Sequence, residues 1–129
     1  MTVLLDTHVL IWTWNGDPRL RGEARRYIED PATAVVVSIA SFWELAIKSS
    51  IGKLDIEIDL KALVGSMDKF GFRLLPVTLD HTLELAQLPF HHRDPFDRTL
   101  IAQARHEGMT LLTVDPYFSA YDVSLFGRA

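Results

Sequence analysis

The chain is 129 residues long, enough for one domain that buries roughly two thirds of its unfolded surface, and too short for two. It has no cysteine, which excludes disulfides and thiolate metal sites and is compatible with a reducing compartment. A net charge of −4 argues against a polycation that grips nucleic acid through its overall field, but allows a local basic rim.

The chain opens on an apolar run, Val3-Leu4-Leu5, that stops on Asp6. Such a run reads as a strand covered on both faces in a parallel sheet. No basic n-region precedes it and Asp6 interrupts it, so no secretory signal is expected. In open α/β sheets chemistry gathers beyond the carboxyl ends of strands, which makes Asp6 a site candidate as well as a helix cap. Val9, Leu10 and Trp14 then keep helical spacing up to Asn15-Gly16-Asp17-Pro18. A second amphipathic helix is expected from Pro18, through Leu20, Ala24, Tyr27 and Ile28, to Asp30-Pro31. Its arginines 19, 21, 25 and 26 form one basic cluster, and His91, His92, Arg93 and Arg98 form another.

Ala34 to Val37 is a β-branched strand, followed by Ser38 as an N-cap. Ala40, Glu44, Ile47 and Ile51 share one helical face, so Glu44 falls in an apolar stripe. Local roles compete for it: a capping box with Ser41 and an i,i+4 pair with Lys48. The longest apolar region, from 34 to 47, is broken by Ser38, Ser41 and Glu44, so no membrane span is expected and the protein is read as soluble and cytoplasmic. Ile56 and Ile58 suggest a short extended piece. Asp59 caps a helix with Leu60, Leu63, Val64 and Met67 on one face, stopped by Gly71. Arg73 to Val77 reads as a third strand that Pro76 pushes to an edge, and Thr78 to Leu88 as a helix.

Asp94-Pro95 starts the next helix abruptly after the loop 89–93. Asp97, Ile101 and Ala104 share its inner face, which turns a carboxylate inward where an acid serving only the helix dipole would stay wet. Met109 to Val114 is a fourth strand ending on Asp115-Pro116, and Val123 to Phe126 a last edge strand. Right-handed crossovers would bring these strand ends and helix starts to one edge, so Asp6, Glu44, Asp97 and Asp115 should converge. Two carboxylates ~4 Å apart repel by about 4 kcal/mol at an effective dielectric of about 20. Such a cluster must hold protons or a hard cation such as Mg²⁺ or Mn²⁺, a pattern typical of phosphate chemistry.

Four segments together resemble the PIN-domain nucleases, in particular the VapC-like toxins of toxin–antitoxin pairs. They are Leu4-Leu5-Asp6-Thr7-His8, Ser38-Ile39-Ala40-Ser41-Phe42-Trp43-Glu44, His92-Arg93-Asp94-Pro95-Phe96-Asp97-Arg98-Thr99-Leu100-Ile101-Ala102-Gln103-Ala104 and Leu112-Thr113-Val114-Asp115. The resemblance implies a single α/β domain over 1–129 with a mainly parallel sheet of four or five strands. It also implies an acidic Mg²⁺ site, metal-dependent RNA cleavage, and an antitoxin that silences the enzyme. Asp6 and Asp97 match the principal ligands, Glu44 and Asp115 the rest of the quartet, and Thr113 a supporting hydroxyl. Many relatives carry Asn at the position of Asp115. Arg93 and Arg98 are expected to contact RNA phosphates, with the arginines from 19 to 26 read either as a further contact or as a solvated face. Trp12, Trp14 or Phe118, if exposed, would serve a homodimer or antitoxin groove, but core packing is the favoured fate of most of them.

Three other readings compete. A phosphatase with Asp6 as nucleophile would want a second acid two residues on, where this chain has His8. A metal-free nuclease would use His91 and His92 as acid and base. A catalytically inactive PIN-like module would only dock a protein or RNA partner.

Overall fold

The computed structural model describes residues 2–54 and 58–126. Its elements run β1 (Thr2–Leu5), α1 (Thr7–Asn15), α2 (Gly22–Glu29), β2 (Ala34–Ser38), α3 (Ile39–Ser50), α4 (Leu60–Phe70), β3 (Arg73–Leu75), α5 (Leu79–Gln87), α6 (Pro95–Glu107) and β4 (Thr110–Leu112), then a 3₁₀ turn at Pro116–Ala120. Among the described residues the four strands form one parallel sheet in the order β3-β2-β1-β4. This is the expected α/β fold, with β1 central as its uninterrupted apolar run requires.

Strand residues alternate between two cores. Val3, Leu5, Val35, Val37 and Leu112 face the layer of α1 to α4, while Leu4, Val36, Leu75 and Leu111 face α5, α6 and the 3₁₀ turn. Parallel register aligns Leu4 with Val36 and with Leu111, so each face presents continuous rows of branched side chains. No helix of the described residues is long and apolar enough to cross a membrane.

Several local expectations shift. The second helix begins at Gly22, because the Asp17 carboxylate accepts the Arg19 N–H at 2.9 Å and closes a separate turn before it. Ser38 caps α3 by accepting the Ala40 N–H at 3.0 Å. The alternative capping box is not formed, since the Ser41 hydroxyl accepts that of Thr7 at 2.9 Å and joins the starts of α1 and α3. Asp59 and Gly71 bound α4 as expected, Gly71 with φ of 72°. The piece suggested by Ile56 and Ile58 lies at residues 55–57, outside the described residues, and at Ile58, which belongs to no strand. β3 is an edge strand that ends before Pro76. The segment 123–126 contributes a single parallel bridge, Leu125 to Leu111, in place of a strand.

The other face is built on an antiparallel pair. α5 opens with a capping box in which His81 Nδ1 accepts the Thr78 N–H at 3.0 Å. The same imidazole places Nε2 2.8 Å from Glu107 at the end of α6, fastening the start of one helix to the end of the other. That pairing returns the chain through the loop 89–93 to the carboxyl edge of the sheet, where α6 starts.

Candidate functional site

Asp6 is 3% exposed at the end of β1. Its N–H donates to the Leu112 carbonyl at 3.1 Å, which pins the ends of β1 and β4 together. One carboxylate oxygen caps α1 by accepting the Val9 N–H at 2.9 Å, and the other accepts the Thr113 hydroxyl. Thr113 Oγ1 also accepts the Asp115 N–H at 3.1 Å. The fourth strand is therefore shorter than expected: Thr113 leaves the ladder to bridge two acids.

Glu44 is likewise buried, at 3% exposure. Its Oε2 accepts from Lys48 Nζ one turn on, while Oε1 is buried with no hydrogen-bond partner among the described residues. Asp94 caps α6 by accepting the Phe96 and Asp97 N–H groups at 2.8 and 3.1 Å, with Pro95 at the first helical position. Asp97 points inward, its Oδ2 2.9 Å from His92 Nε2. Asp115 caps the 3₁₀ turn by accepting the Tyr117 N–H at 2.9 Å.

The ionisation of these groups records their crowding. Burial, and then the charges of Asp94, Glu44 and Asp6, push Asp97 up to about 6 against the opposing His92 hydrogen bond. Asp6 is also raised, by burial, despite hydrogen bonds from Thr113 and the Val9 backbone and the nearby His8. Lys48 shows the converse. Burial pulls its ammonium down, but the hydrogen bond and charge of Glu44, with Asp94 and Asp97 behind, leave it raised. Negative charge thus accumulates here, offset in part by Lys48 on Glu44 and by His8 near Asp6.

The expected quartet is drawn to one edge of the sheet, but not equally tightly. Ligand atoms of His92, Asp97 and Asp115 lie within 4.8 Å of one another, the only such group among the described residues. Asp6 and Glu44 are not part of that group; their oxygens engage Val9, Thr113 and Lys48. His92 and Lys48 are the functional candidates that sequence reasoning undervalued. Only the ordinary pairing of Lys48 was visible, and the offset of five between His92 and Asp97 gains meaning once Asp94-Pro95 fixes the start of α6.

Rim expectations fare unevenly. Arg93 is exposed, but Arg98 is half-buried, with its guanidinium 4.9 Å from the Phe90 ring and Nη1 buried with no partner among the described residues. Arg19 pairs with Asp17 at 2.7 Å and lies over Trp12, and Arg25 pairs with Glu29. Trp14 donates to Ser66 at 3.2 Å. Phe118 is fully buried and belongs to the core, the favoured of its two readings, because the 3₁₀ turn points it back at α6.

The donors fit a hard divalent cation: several carboxylates, two with raised pKa, and one buried carboxylate oxygen with no partner among the described residues. Thr113→Val removes a hydroxyl of similar size and leaves both Asp6 Oδ2 and the Asp115 N–H without it. Divalent-cation affinity should fall ~10–100-fold, as for other groups that orient ligands. Calorimetric titration with Mn²⁺ checks this; unchanged affinity would make Thr113 a purely structural bridge.

A protein-family model described as PIN domain matches residues 3–124. The chain belongs to the PIN-domain family, whose members are generally nucleases and usually use divalent metals. No curated protein matches it. Solved structures that share the fold include VapBC2 from Rickettsia felis bound to a DNA fragment from their promoter, at 15% identity and a TM-score of 0.69, over 97% of this chain and 96% of that one. VapC20 from Mycobacterium tuberculosis, a Sarcin-Ricin loop cleaving toxin, is 21% identical with a TM-score of 0.62, over 92% and 93%. VapBC-5 from Mycobacterium tuberculosis, of the VapBC family of toxin-antitoxin systems, is 20% identical with a TM-score of 0.56, over 99% and 93%. At these identities the likeness concerns the fold.

Proposed function

We propose that this chain is a Mg²⁺- or Mn²⁺-dependent endoribonuclease and the toxin of a cytoplasmic toxin–antitoxin pair. Asp6, Glu44, Asp97 and Asp115 would hold the metal, and Thr113 would support them. The observation that carries this reading is the gathering of buried acids at one sheet edge: burial, and then the charges of Asp94, Glu44 and Asp6, push Asp97 up to about 6, and Glu44 Oε1 is buried with no hydrogen-bond partner among the described residues. A divalent cation bound there supplies a Lewis acid that lowers the pKa of a ligated water and offsets charge on a phosphodiester. Thr113 holds Asp6 and Asp115 at a fixed spacing, Lys48 balances Glu44, and Asp94 starts α6 where Asp97 must stand. Arg93, exposed beside the pocket, and Arg98 are the residues proposed to meet RNA phosphates, in a contact that weakens with salt.

RNA is favoured as substrate by the fold shared with a Sarcin-Ricin loop cleaving toxin, and an antitoxin by the fold shared with members of toxin–antitoxin complexes. Exposed Trp43, Leu79 and Phe90, at 60%, 76% and 72%, offer apolar surface for that partner or for a homodimer. The test is cleavage of a panel of structured and single-stranded RNAs by the purified chain with Mg²⁺, Mn²⁺ or EDTA. Cleavage should require the metal and cease when the protein of the adjacent open reading frame is added. Cleavage that survives EDTA would revive a metal-free nuclease, whereas RNA or protein binding without metal uptake or cleavage would favour the inactive docking module.

A further inference from the structure

The loop 89–93 carries no regular structure, yet it holds His92 on three sides. The Tyr121 hydroxyl accepts the His91 and His92 N–H groups at 3.0 and 2.9 Å. The imidazole stacks on Tyr117 with centroids 5.3 Å apart and planes 9° from parallel, and meets Phe118 nearly edge-on at 6.3 Å. Tyr117 is itself fastened by the bond from its N–H to Asp115. The ring is thus oriented by the same turn that positions one of the acids it faces.

Taking the pocket as a cation centre, as proposed above, we propose that His92 Nε2 ligates the metal alongside Asp97 and Asp115. The site would then have a mixed nitrogen and oxygen donor set that favours a first-row transition ion over Mg²⁺. In an octahedral site with bonds of about 2.1 Å, adjacent donors stand about 3 Å apart. His92 Nε2 and Asp97 Oδ2 already have that separation, at 2.9 Å, and all three ligand atoms lie within 4.8 Å. A cation can therefore take the place between His92 Nε2 and Asp97 Oδ2, with Asp115 drawn in to complete the group, provided the imidazole carries its proton on Nδ1. Half-buried His92 can leave that Nδ1–H to solvent. Imidazole is a poor donor for Mg²⁺, which prefers oxygen, and a good one for transition ions. His81 offers the contrast: fully buried, it has both ring nitrogens engaged in joining α5 to α6.

Electron spin echo envelope modulation of bound Mn²⁺ tests this without reference to activity. The Mn²⁺ protein should show ¹⁴N modulation of the imidazole type, replaced by a ¹⁵N pattern when its histidines are ¹⁵N-labelled. His92→Gln should abolish it, and His8→Gln should leave it intact. By calorimetry His92→Gln should lose about 10-fold or more in Mn²⁺ affinity and less than about threefold in Mg²⁺ affinity, which collapses the preference between them. Mn²⁺ bound without ¹⁴N modulation in the parent would overturn the role of His92 and leave the acidic centre standing. No Mn²⁺ binding by the parent would overturn both. The labelling arm needs no variant, and with modulation retained in His8→Gln and in the matching His91→Gln it assigns the signal even where His92→Gln fails to fold, since His81 has both ring nitrogens engaged.

Discussion

Asp97→Asn is expected to lower metal-dependent cleavage at least ~10²-fold, because outer groups that merely orient ligands already cost 10–100-fold and a direct donor costs more. The metal-free variant should nevertheless melt at the same temperature as the parent or higher. Asparagine retains an acceptor for His92 while removing a charge that burial and Asp94, Glu44 and Asp6 all oppose. A gain of about 1–2 kcal/mol near neutral pH, some 3–8 °C in Tm, follows from no longer burying that charge and, secondarily, from relief of the repulsion. Asp6→Asn should lose activity similarly and keep its fold, since Asn caps a helix as well as Asp and can accept the Val9 N–H. Activity and melting measured on the same preparations decide the matter. Full activity in either variant would refute its role as a ligand, and a melt lowered by many degrees would make the charge structural.

Metal-free stability should fall as pH rises from about 4 to 7, and a divalent cation should restore more of it at the upper end. The folded-state pKa of Asp97 is about 6, above its ordinary 3.8. The folded protein therefore binds this proton more tightly than the unfolded chain. The resulting stability is fully present below about 3.8 and lost as pH rises through about 6, a contribution on the order of 2 kcal/mol after discounting for partial solvent screening. Asp6, raised by burial, acts in the same direction. Asp17 acts oppositely, but its pKa is lowered by Arg19, so it titrates beneath this window. Cation binding adds about 2.7 kcal/mol at 100 times its Kd, and protons compete for the same oxygens below pH 6. Thermal melts at pH 5 and 7.5, with and without Mn²⁺, should show the larger metal-induced rise at pH 7.5, and Asp97→Asn should flatten the metal-free dependence. A rise independent of pH would place the cation away from Asp97.

Much of this molecule is local and was legible from residue order alone. Two-sided apolar runs, β-branched residues and caps such as Asp94-Pro95 define strands and helix starts within a few residues of themselves. The burial of Glu44 followed from the stripe that it shares with Ala40 and Ile47, and the gathering of acids from the connectivity of a parallel sheet. What periodicity leaves open is which atoms face each other. Thr113 and Asp6 meet across 107 residues only because β4 lies beside β1.

The same limit leaves the degree of burial open. Phe118 stands in a polar segment, yet the 3₁₀ turn packs it into the core on the α6 side, and Arg98 is half-buried with its guanidinium against the Phe90 ring. His92 reads as one of two ordinary loop histidines until Tyr117 and Tyr121 orient it. The sequence by itself determined the parallel α/β architecture and the edge at which the acids collect, because short-range spacing and chain connectivity encode both. Tertiary structure alone decided which of them share an ion-sized space, since that depends on side-chain directions set by helices and turns remote in the chain.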